Sequence, residues 1–307
     1  MSKPIRIVMG GYGPSTTCFS HGLKQMGDRI TAEFGDRVDV RYVWNVMDFG
    51  YRTEDILWLV ESGVISLGYQ SSSYLTDRVP GLGIVDLPFV FRSNEDARAA
   101  MDGPLGDYLA RAIEEHVNYR ILGWFENGFR QVSNRLREIR RPSDMAGMRI
   151  RVLPSAIQAR TFELLGATPL KWDLVDAVKA IKAGTIDAQE NPLANTVTYG
   201  VHNFHRYHSL TNHFYVSRPI FVHRPTFDAW PPDLQRAMRV AAAAAVAAQR
   251  IAAVEEDAEA RKAIIDSGGA IAELTAVEHS AFAAAVKPLY DEARQMYPQQ
   301  VFGLLPH

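Results

Sequence analysis

Three arginines, a glutamate and two asparagines lie within one stretch in the middle of the chain, at predicted strand ends and loops. They are Arg130, Arg149, Arg151, Glu126, Asn127 and Asn191, all within the stretch 124–195. Arginine keeps its charge in a protein, and its planar guanidinium matches a carboxylate or phosphate with two parallel hydrogen bonds. The amide of Asn191 offers two donors and an acceptor, which suits a carboxylate with an adjacent hydroxyl or keto oxygen. This stretch therefore predicts an anion receptor.

A short strand in this stretch must position Arg151. Met148, Ile150 and Val152 fall on one face of the run MRIRV, so Arg149 and Arg151 fall on the other face. Strand ends and helix starts also meet in this block, and α/β sheets bind their ligands at such places. We therefore expect Arg151 at a strand end, where it meets an anion or water.

The rest of the chain alternates strand and helix patterns. Apolar strand patterns at 5–9, 38–43 and 64–69 are separated by helical patterns that end at glycines. This rhythm is typical of parallel βαβ units, and it predicts an α/β fold. Further along, an alanine-rich pattern that starts after two prolines predicts a long helix at about 232–267.

Composition excludes several classes of protein. The 307 residues suffice for one large domain or two of ordinary size, and the apolar fraction of 47% is that of a globular chain. A net charge of −2 and a pI near 6.5 argue against broad nucleic-acid binding. No window offers about 18 uninterrupted apolar residues, so we expect no direct membrane insertion. Cys18 is the only cysteine, which excludes an intrachain disulfide and a zinc site of several thiolates.

Motifs for metal, nucleotide or covalent chemistry are weak. His202, His205, His208 and His213 do not have the i, i+4 spacing of a zinc-binding helix. The loop GGYG lacks the order G-x-G-x-x-G, and the three serines at 71–73 have no G-x-S-x-G elbow around them. We therefore expect no metal, no cofactor and no catalytic residue.

Simpler roles are open for the candidate residues on composition and spacing alone. Arg151 and Arg130 could be solvated strand residues, and Asn191 could be a turn residue before Pro192. Trp172 could pack in the core instead of forming a platform for a ligand.

Several motifs in a fixed order are more specific than any of them alone. They are NGFR at 127–130 with Ser133 and Asn134, PSDMAGMRIRV at 142–152, LGATP at 165–169, IDAQENP at 186–192 and LTNH at 210–213. In this order they resemble the solute-binding subunit of TRAP transporters, the DctP-type family. The segment LPFVF at 87–91 and the helix start PPD at 231–233 also fit. The resemblance therefore spans most of the chain.

The resemblance implies an α/β fold of the periplasmic-binding-protein type, a two-lobed clamshell of mixed sheets flanked by helices. A long bracing helix at about 232–267 would span both lobes. Lobe I would be discontinuous, comprising 1–124 and about 206–250. Lobe II would comprise 125–205 and about 251–307.

The resemblance also implies the site residues. Arg151 would hold the carboxylate of the ligand with two hydrogen bonds, Asn191 would hold the same carboxylate, and Arg130 would add a second positive contact. The first lobe and an aromatic wall would supply the remaining contacts, which we predict at Tyr12, Gln70, Ser71, Tyr74 and Trp172.

The function that follows is capture of a small organic acid by a periplasmic protein that closes by a hinge and docks on the membrane-embedded permease subunits. A sugar acid, a dicarboxylate, a keto acid or an aromatic acid fits this description, and the chain could be a monomer or a homodimer. No leader is visible in the sequence as written, so we expect that a signal peptide has been removed. The alternatives are a hydrolase or lyase that acts on an organic acid and a cytoplasmic ligand-sensing domain.

Overall fold

The computed structural model describes residues 3–306 as a mixed α/β protein. The strands of this part of the chain are β1 Ile5–Gly10, β2 Val38–Val43, β3 Leu67–Tyr69, β4 Tyr119–Asn134, β5 Arg149–Val152, β6 Thr168–Lys171, β7 Ala188–Asn191, β8 Tyr207–His223 and β9 Ala270–Glu273. The helices are α1 Cys18–Phe34, α2 Asp55–Glu61, α3 Asn94–Met101, α4 Pro104–His116, α5 Ala156–Leu164, α6 Leu174–Lys182, α7 Leu193–Thr198, α8 Arg224–Asp228, α9 Pro232–Asp266, α10 Ala276–Ala285, α11 Lys287–Met296 and α12 Gln299–Phe302.

The chain forms two compact units, each built from three segments. Unit 1 comprises the described parts of Met1–Ser72, Gly106–Glu126 and Ser217–Val254, and unit 2 comprises those of Ser73–Leu105, Asn127–Val216 and Glu255–His307. β4, β8 and α9 each continue from one unit into the other.

The segment Ser73–Leu105 belongs to unit 2, whereas the sequence prediction placed it in lobe I. Buried hydrogen bonds attach this segment to unit 2. Gln158 on α5 donates to Ser73 and to Asp86 at 3.0 and 3.2 Å, and Ser73 donates to Asp86 within the segment at 2.7 Å. Such polar contacts between distant parts of a chain leave no trace in hydrophobic periodicity.

The parallel βαβ units predicted for the N-terminal region are confirmed in unit 1. β1 pairs in parallel with β2 and with β3, and β3 then pairs antiparallel with the end of β8. α1 begins after Thr17, whose side chain accepts the backbone N–H of Ser20 and so caps the helix. The apolar face of α1, including Leu23, Met26 and Ile30, is fully buried.

In unit 2, residues of the stretch 124–195 form four adjacent strands. β4 pairs antiparallel with β7, β7 pairs in parallel with β5, and β5 pairs in parallel with β6. Ile150 and Val152 of β5 enter the core together with Phe162 and Phe214. On the opposite face of β5, Arg151 is buried as well, whereas the first residue of the strand is exposed. β5 is therefore covered on both faces at Arg151.

The long helix predicted at about 232–267 is α9, which has 35 residues. Pro232 starts it, at a position where its missing N–H is not needed. One stretch of α9 is long and apolar enough to cross a membrane by length and composition. Core helices of soluble proteins pass the same test, and Leu234, Met238 and Ala242 of α9 are fully buried.

Candidate functional site

Arg151 on β5 is buried, and two neutral oxygen atoms orient its guanidinium. Its Nε donates to the backbone carbonyl of Trp172 at 2.9 Å, and its Nη2 donates to the hydroxyl of Tyr74 at 3.0 Å. Within residues 3–306 no carboxylate pairs with it and its Nη1 makes no hydrogen bond, although the residue is only 1% exposed. A buried charge normally has a paired counter-charge because desolvation is costly. Arg151 therefore has the environment of an anion receptor.

The neighbouring arginine of the same strand is different. Arg149 donates from Nε and Nη2 to the carboxylate of Asp187 at 3.0 and 3.1 Å, and Arg135 donates to the same carboxylate at 2.8 Å. The bond from Arg149 is the largest of the effects that hold the pKa of Asp187 well below its usual range. Arg149 thus has an acidic partner inside the chain and is exposed to solvent, unlike Arg151.

Arg130 on β4 forms a fully buried ion pair with Glu190 on β7. Both Nε and Nη2 donate to the carboxylate, and Nη2 also donates to the Glu190 carbonyl at 2.6 Å. Burial raises the pKa of Glu190, but the charge of Arg130 and its hydrogen bonds outweigh burial and hold the pKa at about 2. Nη1 of Arg130 makes no hydrogen bond to the described residues, so this atom can still donate to a ligand.

Asn191, the last residue of β7, belongs to a chain of three buried amides. Nδ2 of Asn195, one turn along α7, donates to Oδ1 of Asn191 at 3.1 Å and to Oδ1 of Asn127 at 3.0 Å. Asn191 and Asn195 are adjacent because Pro192 starts the short helix α7 directly after the strand. The carbonyl oxygen of Asn191 is therefore occupied, and its NH₂ group is the part that can meet a ligand.

Tyr74 and Trp172, two of the predicted site residues, both contact Arg151. Tyr74 contributes its hydroxyl, whereas Trp172 contributes its backbone carbonyl. Trp172 as a whole is 37% exposed. Its predicted role as an aromatic wall stays a prediction.

The other three predicted residues lie in unit 1. Gln70 is fully buried and uses both ends of its amide on the backbone, donating to the carbonyl of Thr53 at 2.7 Å and accepting from the N–H of Ser71 at 2.8 Å. Tyr12 is buried beside Tyr69, with 5.2 Å between the ring centres. Their contacts with a ligand, and those of Ser71, stay predictions.

The structure also reveals buried polar residues that sequence reasoning did not select. Arg218 on β8 lies in unit 1 over the ring of Phe19 at 4.0 Å and near the rings of Tyr12 and Tyr69 at 5.1 and 5.8 Å. Its charge gains stabilisation from the faces of these aromatic rings. An arginine within the mostly apolar run FYVSRPIFV at 214–222 is the sequence signal for this buried cation.

The histidines of unit 2 are structural in their contacts. His205 bonds to the hydroxyl of Ser133 at 2.9 Å, His208 to the carbonyl of His205 at 2.9 Å and His213 to the hydroxyl of Thr211 at 2.6 Å. Burial lowers the pKa of His205 to about 3 and that of His208 to about 4. Within residues 3–306 no group of three or more His, Cys, Asp or Glu side chains is arranged to hold a metal ion.

Comparisons with known proteins agree with the resemblance. The model of the family Bacterial extracellular solute-binding protein, family 7 (DctP) matches residues 9–296. A solute-binding protein of Verminephrobacter eiseniae is 28% identical over 278 residues, which cover 90% of this chain and 82% of that protein. The 2,3-diketo-L-gulonate-binding periplasmic protein of Escherichia coli is 27% identical over 242 residues, which cover 79% of this chain and 72% of that protein.

The fold also matches solved structures. A periplasmic solute-binding protein of a TRAP transporter from Sulfitobacter sp. NAS-14.1, solved with bound β-D-galacturonate, superposes with a TM-score of 0.91 at 25% identity and covers 97% of both chains. Because the family model spans nearly the whole sequence, the chain belongs to bacterial extracellular solute-binding protein family 7, the DctP-type solute-binding subunits of TRAP transporters.

Proposed function

We propose that this protein captures a sugar acid in the periplasm, with Arg151 as the counter-charge of the ligand carboxylate. The observation that carries the proposal is the burial of Arg151 without an acidic partner in residues 3–306. Trp172 and Tyr74 occupy two donors of the guanidinium, but both partners are neutral, so they orient the charge and leave it uncompensated. An anionic ligand supplies the missing charge.

The free energy available from hydrogen bonds to the ligand carboxylate is sufficient for the affinity that a transport protein needs. A charge-assisted hydrogen bond contributes about 1.5–3 kcal/mol. Micromolar affinity needs about 8 kcal/mol in total, and ordering of the ligand reduces the gain from each contact. Nη1 of Arg151, Nη1 of Arg130 and Nδ2 of Asn191 together supply much of this free energy.

Arg130 would act as the second positive contact, and Glu190 would fix its orientation. Glu190 and its own carbonyl hold two of the three nitrogens of Arg130, which leaves Nη1 in a defined direction. The net charge of the pair is zero, so Arg130 would contribute direction and hydrogen bonding, while Arg151 would contribute the uncompensated charge.

The choice of a sugar acid is supported by the relatives. The Escherichia coli relative binds 2,3-diketo-L-gulonate, and the Sulfitobacter structure contains β-D-galacturonate. Both ligands combine one carboxylate with several oxygen atoms. On the same basis we propose that Tyr12, Gln70, Ser71 and the ring of Trp172 also contact the ligand and that the membrane-embedded permease subunits receive the loaded protein.

A thermal-shift screen followed by calorimetry tests the proposal. The panel consists of D-galacturonate, D-glucuronate, D-galactonate and 2,3-diketo-L-gulonate, with succinate, pyruvate and benzoate as acids of other classes. We expect a rise in melting temperature with at least one sugar acid and one-to-one binding in the micromolar range or tighter. Binding of none of the sugar acids would refute the proposal. Turnover of a bound acid, followed by mass spectrometry, would favour the enzyme alternative.

A further inference from the structure

We infer that Asn127 is a specificity-determining residue, which binds a second ligand oxygen, a hydroxyl or carbonyl oxygen on the carbon next to the carboxylate. The inference rests on the proposed function, because it requires an organic acid at Arg151 and Asn191. It concerns three residues of unit 2, namely Asn127, Asn195 and Asn191.

The first observation is an unused donor. Asn127 is 8% exposed, and its Nδ2 has no hydrogen-bond partner among the described residues. Buried amide donors in native proteins nearly always have a partner, which is often a ligand or an ordered water molecule. A donor left open beside residues that face an anion indicates a place for an acceptor.

The second observation fixes which way this donor points. Nδ2 of Asn195 donates to Oδ1 of Asn127 at 3.0 Å and to Oδ1 of Asn191 at 3.1 Å. Rotating either neighbouring amide alone by 180° would place NH₂ against NH₂ and lose the bond. Asn195 therefore turns the NH₂ groups of both Asn127 and Asn191 away from itself, so the two donors act as a pair.

The reverse arrangement of all three amides does not suit an anion. If Asn195 turned its oxygen toward its neighbours, Asn127 and Asn191 would both present carbonyl oxygens in place of their NH₂ groups. Two carbonyl oxygens would repel a carboxylate, whereas two NH₂ groups bind it together with an adjacent oxygen. Presence of the anion thus selects the arrangement with two donors.

The chemical class of the ligand follows from this pair. Nδ2 of Asn191 binds the carboxylate of the ligand, and Nδ2 of Asn127 binds a second acceptor of the ligand. These two donors are close together because both amides accept a hydrogen bond from the same nitrogen, Nδ2 of Asn195. A 2-hydroxy or 2-keto acid places an oxygen beside its carboxylate in this way. An acid without that oxygen leaves the buried Nδ2 of Asn127 unpaired.

Calorimetric titration with matched acids tests the inference. The probes are D-galactonate and D-gluconate, each with its 2-deoxy counterpart, titrated into the parent, Asn127→Ala and the control Asn203→Ala. Asn203 is an exposed asparagine of the same unit. We expect the parent and the control to favour the hydroxy acid over its 2-deoxy counterpart at least tenfold. In Asn127→Ala the ratio should fall below threefold, through weaker binding of the hydroxy acid.

A second variant separates ligand binding from folding. Asn127→Asp keeps an oxygen for Nδ2 of Asn195 but replaces the free donor with an acceptor. Its added charge weakens both acids of a pair, so the ratio between them still reports the contact with the 2-hydroxyl. An unchanged ratio in both variants, with binding that still depends on Arg151, would overturn the inference and leave the proposed function intact. Failure of the parent to bind either hydroxy acid would overturn the inference, and failure to bind every sugar acid of the screen would overturn the proposed function as well.

Discussion

The hydroxyl of Tyr74 accepts a hydrogen bond from Nη2 of Arg151 at a distance of 3.0 Å. Tyr74 lies in a 3₁₀ turn at Ser72–Leu75, and Arg151 lies on a strand much later in the chain. A tyrosine hydroxyl orients a guanidinium without neutralising it. This contact therefore fixes the geometry of the charge and preserves its attraction for an anion.

Removal of the Arg151 guanidinium should weaken acid binding more than any other single change in unit 2. We expect Arg151→Ala to lose about 2–5 kcal/mol of binding free energy, because the ligand carboxylate would be buried without a partner. Arg151→Lys should recover only part of the loss, since an ammonium lacks the planar fork. Calorimetric titration with the acid identified in the screen measures both values.

Arg149 provides the matched control for this experiment. It is on the same strand, but its guanidinium is paired with the carboxylate of Asp187. Arg149→Ala should bind the acid within twofold of the parent. Equal affinity of the parent and Arg151→Ala would show that the carboxylate is held elsewhere.

Tyr74→Phe should reduce affinity by a smaller amount. The substitution keeps the ring and removes one acceptor from Nη2 of Arg151, so we expect a loss of about 0.5–1.5 kcal/mol, the value of one ordinary hydrogen bond. Dissociation constants for Tyr74→Phe and for the control Tyr207→Phe measure this effect. A loss as large as that of Arg151→Ala would mean that the Tyr74 hydroxyl contacts the ligand directly.

Local signals in the sequence are sufficient to predict some of the helix starts, but they do not reveal the contacts that Arg130 and Arg151 make. Ser155, Asp173 and Thr275 directly precede their helices in the sequence, and each accepts a backbone N–H at the start of its helix. Capping depends on residues two or three positions apart, so a short window contains the whole signal.

The pairing of Arg130 with Glu190 had no such signal. Arg130 and Glu190 are sixty residues apart in the chain. They are neighbours in space because β4 and β7 pair antiparallel, with Val132 opposite Glu190. Alternation on β5 gave the correct buried positions for Ile150 and Val152, but it did not predict that the face of Arg151 is also covered. Tyr74 is one of the residues that cover Arg151, and it belongs to a segment that buried polar hydrogen bonds hold in place.

Breaking the Arg130–Glu190 pair should destabilise the fold. Glu190→Gln leaves Arg130 buried without its counter-charge, so we expect a loss of about 3–5 kcal/mol in the free energy of unfolding. The double variant Arg130→Met with Glu190→Leu removes both charges and should recover most of this stability while still binding the acid more weakly than the parent. Chemical denaturation and titration of the same samples separate the two effects. A stable Glu190→Gln variant would show that solvent reaches the pair.

His205 should make the protein less stable in mild acid. Its pKa is lowered from the usual 6.5 to about 3 because burial disfavours the charged ring. The unfolded chain binds this proton below pH 6.5 and the folded chain does not, so stability is complete above pH 6.5 and falls as the pH drops toward 3. The slope from one such group approaches about 1.4 kcal/mol per pH unit. Denaturation of the parent and His205→Gln at pH 7 and pH 5 measures it, and identical slopes would exclude His205 as the cause.

The contribution of Asp86 to stability should change with pH in the opposite direction to that of His205. Burial raises its pKa from the usual 3.8 to about 6, although the bonds from Ser155, Ser73 and Gln158 favour the charged form. Between these two values the folded chain binds the proton more strongly than the unfolded chain, so the contribution of Asp86 to stability falls as the pH rises from 3.8 to 6 and stays low above it. Asp86→Asn removes this buried charge and should stabilise the protein at pH 8 by about 1–3 kcal/mol, an upper value set by the size of the shift.

The same substitution should have little effect at pH 4, where Asp86 is protonated in the folded protein and Asn resembles it in shape and charge. The experiment therefore measures the free energy of unfolding of the parent and of Asp86→Asn at pH 4 and at pH 8, and compares the effect of the substitution at the two pH values. Thr17→Ala, which removes the N-cap of α1, serves as a control whose effect of about 0.5–2 kcal/mol does not depend on pH. Destabilisation by Asp86→Asn at pH 8 would mean that a cation or a donor from outside the described residues compensates the Asp86 carboxylate.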